Sequence, residues 1–155
     1  CASCWWALAW ALGPNINTDM GAQAAVRLDQ ALREARRQAR LASPLQRELI
    51  DALTLRHPRP DVIDEAAYAQ RMRALARRYP RDAVAALLAA EALMDLQPWD
   101  YYDEQLQPKG NTAEIVTILE SVMARDPDHA GAPRAAAGGG RGGGAAGSPV
   151  PCRRR

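Results

Sequence analysis

Apolar residues recur along this chain at the three- and four-residue steps of an amphipathic helix, not at the alternation of a strand. Leu28, Ala31, Leu32, Ala35 and Ala39 share one helical face, as do Tyr68, Met72, Leu75 and Tyr79. Six helices are predicted, over residues 2–12, 21–40, 44–56, 61–79, 82–96 and 111–125. Punctuation supports the boundaries. Gly13-Pro14-Asn15-Ile16-Asn17 stops the first helix. Ser43-Pro44-Leu45-Gln46 offers a cap, a first-turn proline and a capping box for the third. The turn His57-Pro58-Arg59-Pro60 follows it, and Pro80 closes the fourth. Asn111 is placed to cap the sixth, with Glu114 reaching back. The long loop from Gln97 to Gly110 carries Trp99, Asp100, Tyr101 and Tyr102. Ala, Leu, Arg and Glu dominate and few β-branched runs occur, so the fold class is all-α.

The pattern also repeats. Tyr68, Met72, Leu75 and Pro80 recur 47 residues later as Ile115, Leu119, Val122 and Pro127. This spacing resembles the second helix of a tetratricopeptide (TPR) repeat. Trp5, Leu8, Ala9 and Leu12 resemble its first helix, with Leu in place of the last aromatic; Val84, Leu87, Leu88 and Glu91 follow it loosely. The usual period is roughly 34 residues. The excess matches the aromatic loop, which reads as an insertion within a hairpin.

A wider resemblance rests on Cys4-Trp5-Trp6, Ala11 to Asn17, Glu91 to Leu96, Pro98 to Tyr101, Asn111 to Ile115 and Arg125 to His129. Together they are similar to bacterial TPR-repeat proteins of poorly defined function, of which this chain would be a truncated fragment. The resemblance implies antiparallel helical hairpins stacked as an α-solenoid, with further repeats on both sides. The chain begins with Cys1, so its true N-terminus is expected upstream.

Two regions follow: a helical repeat region over 1–132, and a tail over 133–155. The tail is Gly, Ala, Arg and Pro with almost nothing to bury, so disorder is expected. It begins abruptly where a helix should start. Fourteen Arg against the single Lys109 in the body suggest GC-rich coding DNA, so the tail reads either as frameshift read-through or as a genuine flexible linker. Its five Arg also distort the charge. Without them 15 basic and 18 acidic side chains remain, a net charge of −3. A mildly acidic body argues against nucleic acid as a partner.

Candidate chemistry is sparse. Cys1-Ala-Ser-Cys4 has redox or metal spacing, but no second pair or nearby His completes a zinc site, and no metal is expected. His57 and His129 have no nucleophile in a recognised arrangement. No phosphate-binding loop occurs, and no apolar run approaches the roughly 20 residues of a membrane span. No catalytic residue and no cofactor is expected, and neither membrane insertion nor a compartment is signalled beyond a slight lean to the cytoplasm. The basic stripes Arg33, Arg36, Arg37, Arg40 and Arg71, Arg73, Arg77, Arg78 read as solvated faces. Trp5, Trp6 and Trp10 read as core.

The function expected is a scaffold that binds a protein or peptide through a concave face and the aromatic loop. Partner contacts are assigned to Trp99, Asp100, Tyr101 and Tyr102, with Asn15 and Asn17 at the mouth of the groove. For Trp99 the competing reading is a plug over the hairpin end; for the asparagines it is helix and turn capping. The alternative function is a fragment of an enzyme or metal protein whose site lies C-terminal to this sequence.

Overall fold

The computed structural model describes residues 1–126, which form helices joined by turns and loops, with no strand among the described residues. The helices are α1 (Ala2–Leu12), α2 (Ala22–Gln38), α3 (Pro44–Arg56), α4 (Glu65–Arg78), α5 (Ala83–Asp95) and α6 (Thr112–Arg125). A 3-10 turn, Ala39–Leu41, extends α2. Pro127, His129 and the 133–155 tail, with the expectations stated for them, lie outside the described residues.

Local chemistry explains most boundaries. The Ser43 hydroxyl accepts from the Gln46 N–H and the Gln46 side chain accepts from the Ser43 N–H, forming the expected capping box. The expected start of α4 at residue 61 is corrected to Glu65. Arg59 and Val62 pair across a tight turn, and the Asp64 carboxylate caps the Ala67 N–H. Asp82 caps α5 in the same way through the Ala85 N–H. The expected cap of α6 is not formed. The Asn111 amide oxygen accepts from Arg73 instead, and the Glu114 carboxylate takes the same guanidinium at 2.6–3.1 Å.

Each helix packs against its neighbours in sequence, and α1 also packs on α3. Polar contacts and a shared cleft place α1, α3 and α5 side by side. Their C-terminal ends meet at Arg56, and their N-terminal ends line one cleft. Helices α4 and α6 are joined by Arg73. The core lies between these helices. Helix α5 is its centre: Ala85, Ala86, Leu88, Ala89, Ala90, Ala92, Leu93 and Met94 are all buried. Five of these are Ala, which lets neighbouring backbones approach closely.

The 47-residue recurrence coincides with burial. Tyr68, Met72 and Leu75 on α4 and Ile115, Leu119 and Val122 on α6 are all buried. The structure adds a third set with the same spacing, Leu28, Leu32 and Ala35 on α2, also buried.

Two surface expectations are corrected. The α4 stripe is a solvated face only in part: Arg77 and Arg78 stay exposed, Arg78 reaching Glu48 on α3 from the surface, whereas Arg71 and Arg73 are half-buried, Arg71 reaching Glu48 and Arg73 crossing to α6. On α2, Arg33 and Arg37 do stay exposed, each paired with an acid on its own helix. Trp6 and Trp10 stack with ring centroids 6.3 Å apart and pack into the core, whereas Trp5 remains at the surface. No helix among the described residues is long and apolar enough to cross a membrane.

Candidate partner-binding surface and the polar joint beneath it

The loop after α5 is held by its own hydrogen bonds. The Gln97 amide nitrogen lies 3.0–3.2 Å from the Asp100 and Lys109 carbonyls and the Thr112 hydroxyl. The Gln97 Oε1 accepts from the Asn111 N–H at 2.7 Å. Gly110 closes the loop at φ +51°, and a Cβ there would collide with that same Oε1. Gly110→Ala is therefore expected to cost about 1–3 kcal/mol, read as a lower urea midpoint. A change below measurement error would show that the loop does not support the fold.

The four aromatic-loop residues assigned to a partner separate in space. Tyr101 is not available: it is 7% exposed, packs in the core, and its hydroxyl donates to the Met94 carbonyl. This corrects the sequence expectation. An aromatic followed by a chain reversal satisfies the core more readily than it faces water. Asp100 is exposed and paired with Lys109. Tyr102 is 46% exposed. Trp99 is 64% exposed at φ 63°, and its indole N–H donates to the Ile16 carbonyl at 2.8 Å. It thus anchors one edge while leaving most of its ring in solvent. That bond brings the loop onto the Asn15–Asn17 turn. Asn15 and Asn17 are exposed, but the Asn15 side chain accepts from the Asn17 N–H and spends its oxygen on the turn. Leu106 is a residue that sequence reading overlooked. It stands at the loop tip, 79% exposed at φ 60°, a conformation unfavourable for Leu.

At the other end of the row of odd-numbered helices lies a cleft of about 350 Å³, largely apolar. Trp6 of α1, Leu45 and Leu49 of α3 and Val84 of α5 line it. The Trp6 indole N–H donates to the Leu49 carbonyl at 3.1 Å, which fixes the ring in place.

Beneath the Trp99 surface sits a buried polar joint. Arg56, the last residue of α3, is 1% exposed. Its Nε and Nη2 donate to the Glu65 carboxylate at 2.9 and 2.8 Å. Nη2 also meets Asp95 Oδ2 at 2.7 Å and the Pro14 carbonyl at 3.0 Å. The guanidinium lies 4.9 Å from the centroid of the buried Tyr68 ring. One side chain thereby ties the ends of α1, α3 and α5 to the start of α4. Burial works against its charge, but Glu65 and Asp95 outweigh that and hold its pKa above the ordinary value.

Several groups around Arg56 are imperfectly satisfied. Both His57 ring nitrogens, Asp95 Oδ1 and the Trp10 indole N–H are buried without a hydrogen-bond partner. Trp10 bears on the Glu91 carboxyl, but at a geometry short of a hydrogen bond. Burial and the Arg56 charge push His57 down to about 4, so it stays neutral at pH 7. Burial, and then the neighbouring Asp95, pushes Glu91 up to about 7. Burial likewise raises Asp95 to about 6, against the pull of Arg56. Carboxyls that titrate near neutrality are a mark of acid–base sites. Here they are enclosed between helices, and the clefts described are lined by other residues.

The joint left a trace in the sequence. Arg56 falls on the apolar face of α3 with Leu49, Ile50, Ala52 and Leu53. Glu91 and Asp95 are the acids of an otherwise apolar helix, four residues apart. A cation in one apolar stripe and acids in another signal a buried ion pair.

No protein-family model, curated protein or solved structure matches this chain.

Proposed function

We propose that this chain is a TPR-like array of stacked helical hairpins that binds a protein or peptide and performs no catalysis itself. The observation that carries this reading is the row formed by α1, α3 and α5. It presents an apolar cleft at its N-terminal ends and exposed Trp99, Tyr102 and Leu106 beside its C-terminal ends. Helical hairpins that stack in one direction create such extended faces, and repeat proteins use them for binding. Large aromatic and aliphatic side chains held outward offer contact area at low entropic cost. The strained backbone at Trp99 and Leu106 adds to the case. Non-glycine residues at positive φ cost free energy, and an exposed Leu recovers little of it by packing.

The test is a screen of an immobilised peptide library, followed by calorimetry on a selected peptide. Tyr102→Ala with Leu106→Ala, and separately Leu45→Asp with Val84→Asp, should weaken binding at least about tenfold at one surface, or roughly 1.4 kcal/mol. Unchanged affinity in both double variants, each shown folded by circular dichroism, would remove the scaffold reading.

A further inference from the structure

We infer that Glu91 and Asp95 hold one proton between them, Glu91 donating through it to Asp95 Oδ1, and that this proton sets how firmly the ends of α1, α3 and α5 are held beneath the Trp99 surface.

The inference begins with an acceptor. Asp95 Oδ2 is taken by Arg56; Oδ1 is buried and makes no hydrogen bond, and the Ile16 N–H, which also bears on this carboxylate, stays short of bonding it. Such an orphan costs free energy unless a donor reaches it. Glu91 precedes Asp95 by four residues on α5, so the two side chains are neighbours on one helix face. A protonated Glu91 carboxyl is a donor of the required kind.

Charge balance points the same way. Glu65 of α4 and Asp95 already surround the one guanidinium of Arg56. An ionised Glu91 would make three buried or half-buried carboxylates against one cation. The remaining titratable or polar groups facing this place supply no second cation. They are Trp10 of α1, His57 beside Arg56, held neutral, and Tyr68 of α4, whose burial raises it well above the ordinary range. The electrostatically consistent state is Glu65 and Asp95 ionised, Arg56 charged and Glu91 neutral.

The consequence for pH has a definite sign. Glu91 at about 7 and Asp95 at about 6 both lie above their ordinary values. The folded chain therefore binds these protons more tightly than the unfolded one. Their contribution to stability is complete below about pH 4 and is lost as pH rises through 6 to 7. His57 acts in the opposite sense. Its folded value of about 4 lies below the ordinary 6.5, so its contribution is lost as pH falls between these values. The two trends offset each other in the parent chain, and variants separate them.

The link to the surface runs through the turn after α1. Arg56 bonds the Pro14 carbonyl, and Trp99 bonds the Ile16 carbonyl two residues on. Loss of the shared proton sets Glu91 and Asp95 in repulsion, weakens the grip on Arg56 and loosens this turn.

Carbon-13 NMR titration of the side-chain carboxyls in the full chain measures the proton directly. Glu91 is expected to titrate near neutrality; titration in the ordinary carboxyl range overturns the inference. Urea unfolding at pH 5.5 and pH 8 supplies a second arm. Glu91→Gln keeps a permanent donor to Asp95 Oδ1. Its advantage over the parent in folding equilibrium constant should be roughly ten- to a hundredfold larger at pH 8 than at pH 5.5. Glu91→Leu removes charge without supplying a donor and should recover less than Gln; equal recovery would overturn the shared hydrogen bond. Indole exchange at Trp99 should be faster in the parent than in Glu91→Gln at pH 8. Equal rates would break the link to the surface.

Discussion

Arg56→Ala is expected to lower stability by about 3–5 kcal/mol, the range for removing one member of a buried ion pair. The figure reflects what is left behind. Asp95 keeps a buried carboxylate without its cation, Glu65 loses both its bonds, and the Pro14 carbonyl loses its donor. Much of the cost should vanish when the charges are removed together. Arg56→Met combined with Glu65→Gln and Asp95→Asn leaves no uncompensated ion, and such replacements are often close to neutral. Urea unfolding of both variants checks this. A loss below about 1 kcal/mol for Arg56→Ala would show that water reaches the joint and screens it.

The second large effect belongs to Tyr68. Tyr68→Ala is expected to cost about 3–5 kcal/mol, as for other buried aromatics truncated to Ala. The ring is fully buried between α3, α4 and α5 and carries the Arg56 guanidinium on its face. Arg56 and Tyr68 touch, so their losses should not add. A double-mutant cycle should return a coupling of about 0.5–3 kcal/mol. Ile115→Ala, the equivalent place on α6, should cost about 2–5 kcal/mol and show no coupling to Arg56. Equal coupling from both sites would mean that Tyr68 acts through packing alone.

These two residues differ in how visible they are before the structure. Tyr68 is announced by its place in the recurring pattern. The joint around Arg56 is announced only in part. A lone cation on an apolar face asks for an acid, but Glu65 lies nine residues on, Asp95 lies 39 on, and the Pro14 carbonyl lies 42 back. No local spacing links them. The same limit governs the partner surface. The aromatic cluster in the loop is plain in the sequence, yet which rings face water is not. Tyr101 turned inward because its hydroxyl finds the Met94 carbonyl and its ring finds the core, while Trp99, two residues earlier, lies across the turn after α1.

The sequence by itself determined the helices and their approximate ends, because helical periodicity, caps and prolines act within a few residues. It determined which face of α2, α4 and α6 is buried, since each of those faces repeats one spacing. Only the tertiary structure decided that the ends of α1, α3 and α5 converge on a single guanidinium, that Arg71 and Arg73 reach across to neighbouring helices, and that Trp99 rests on the Asn15–Asn17 turn. These are contacts between distant segments. Their energies depend on burial and on the sum of nearby charges, and neither quantity exists until the helices are packed.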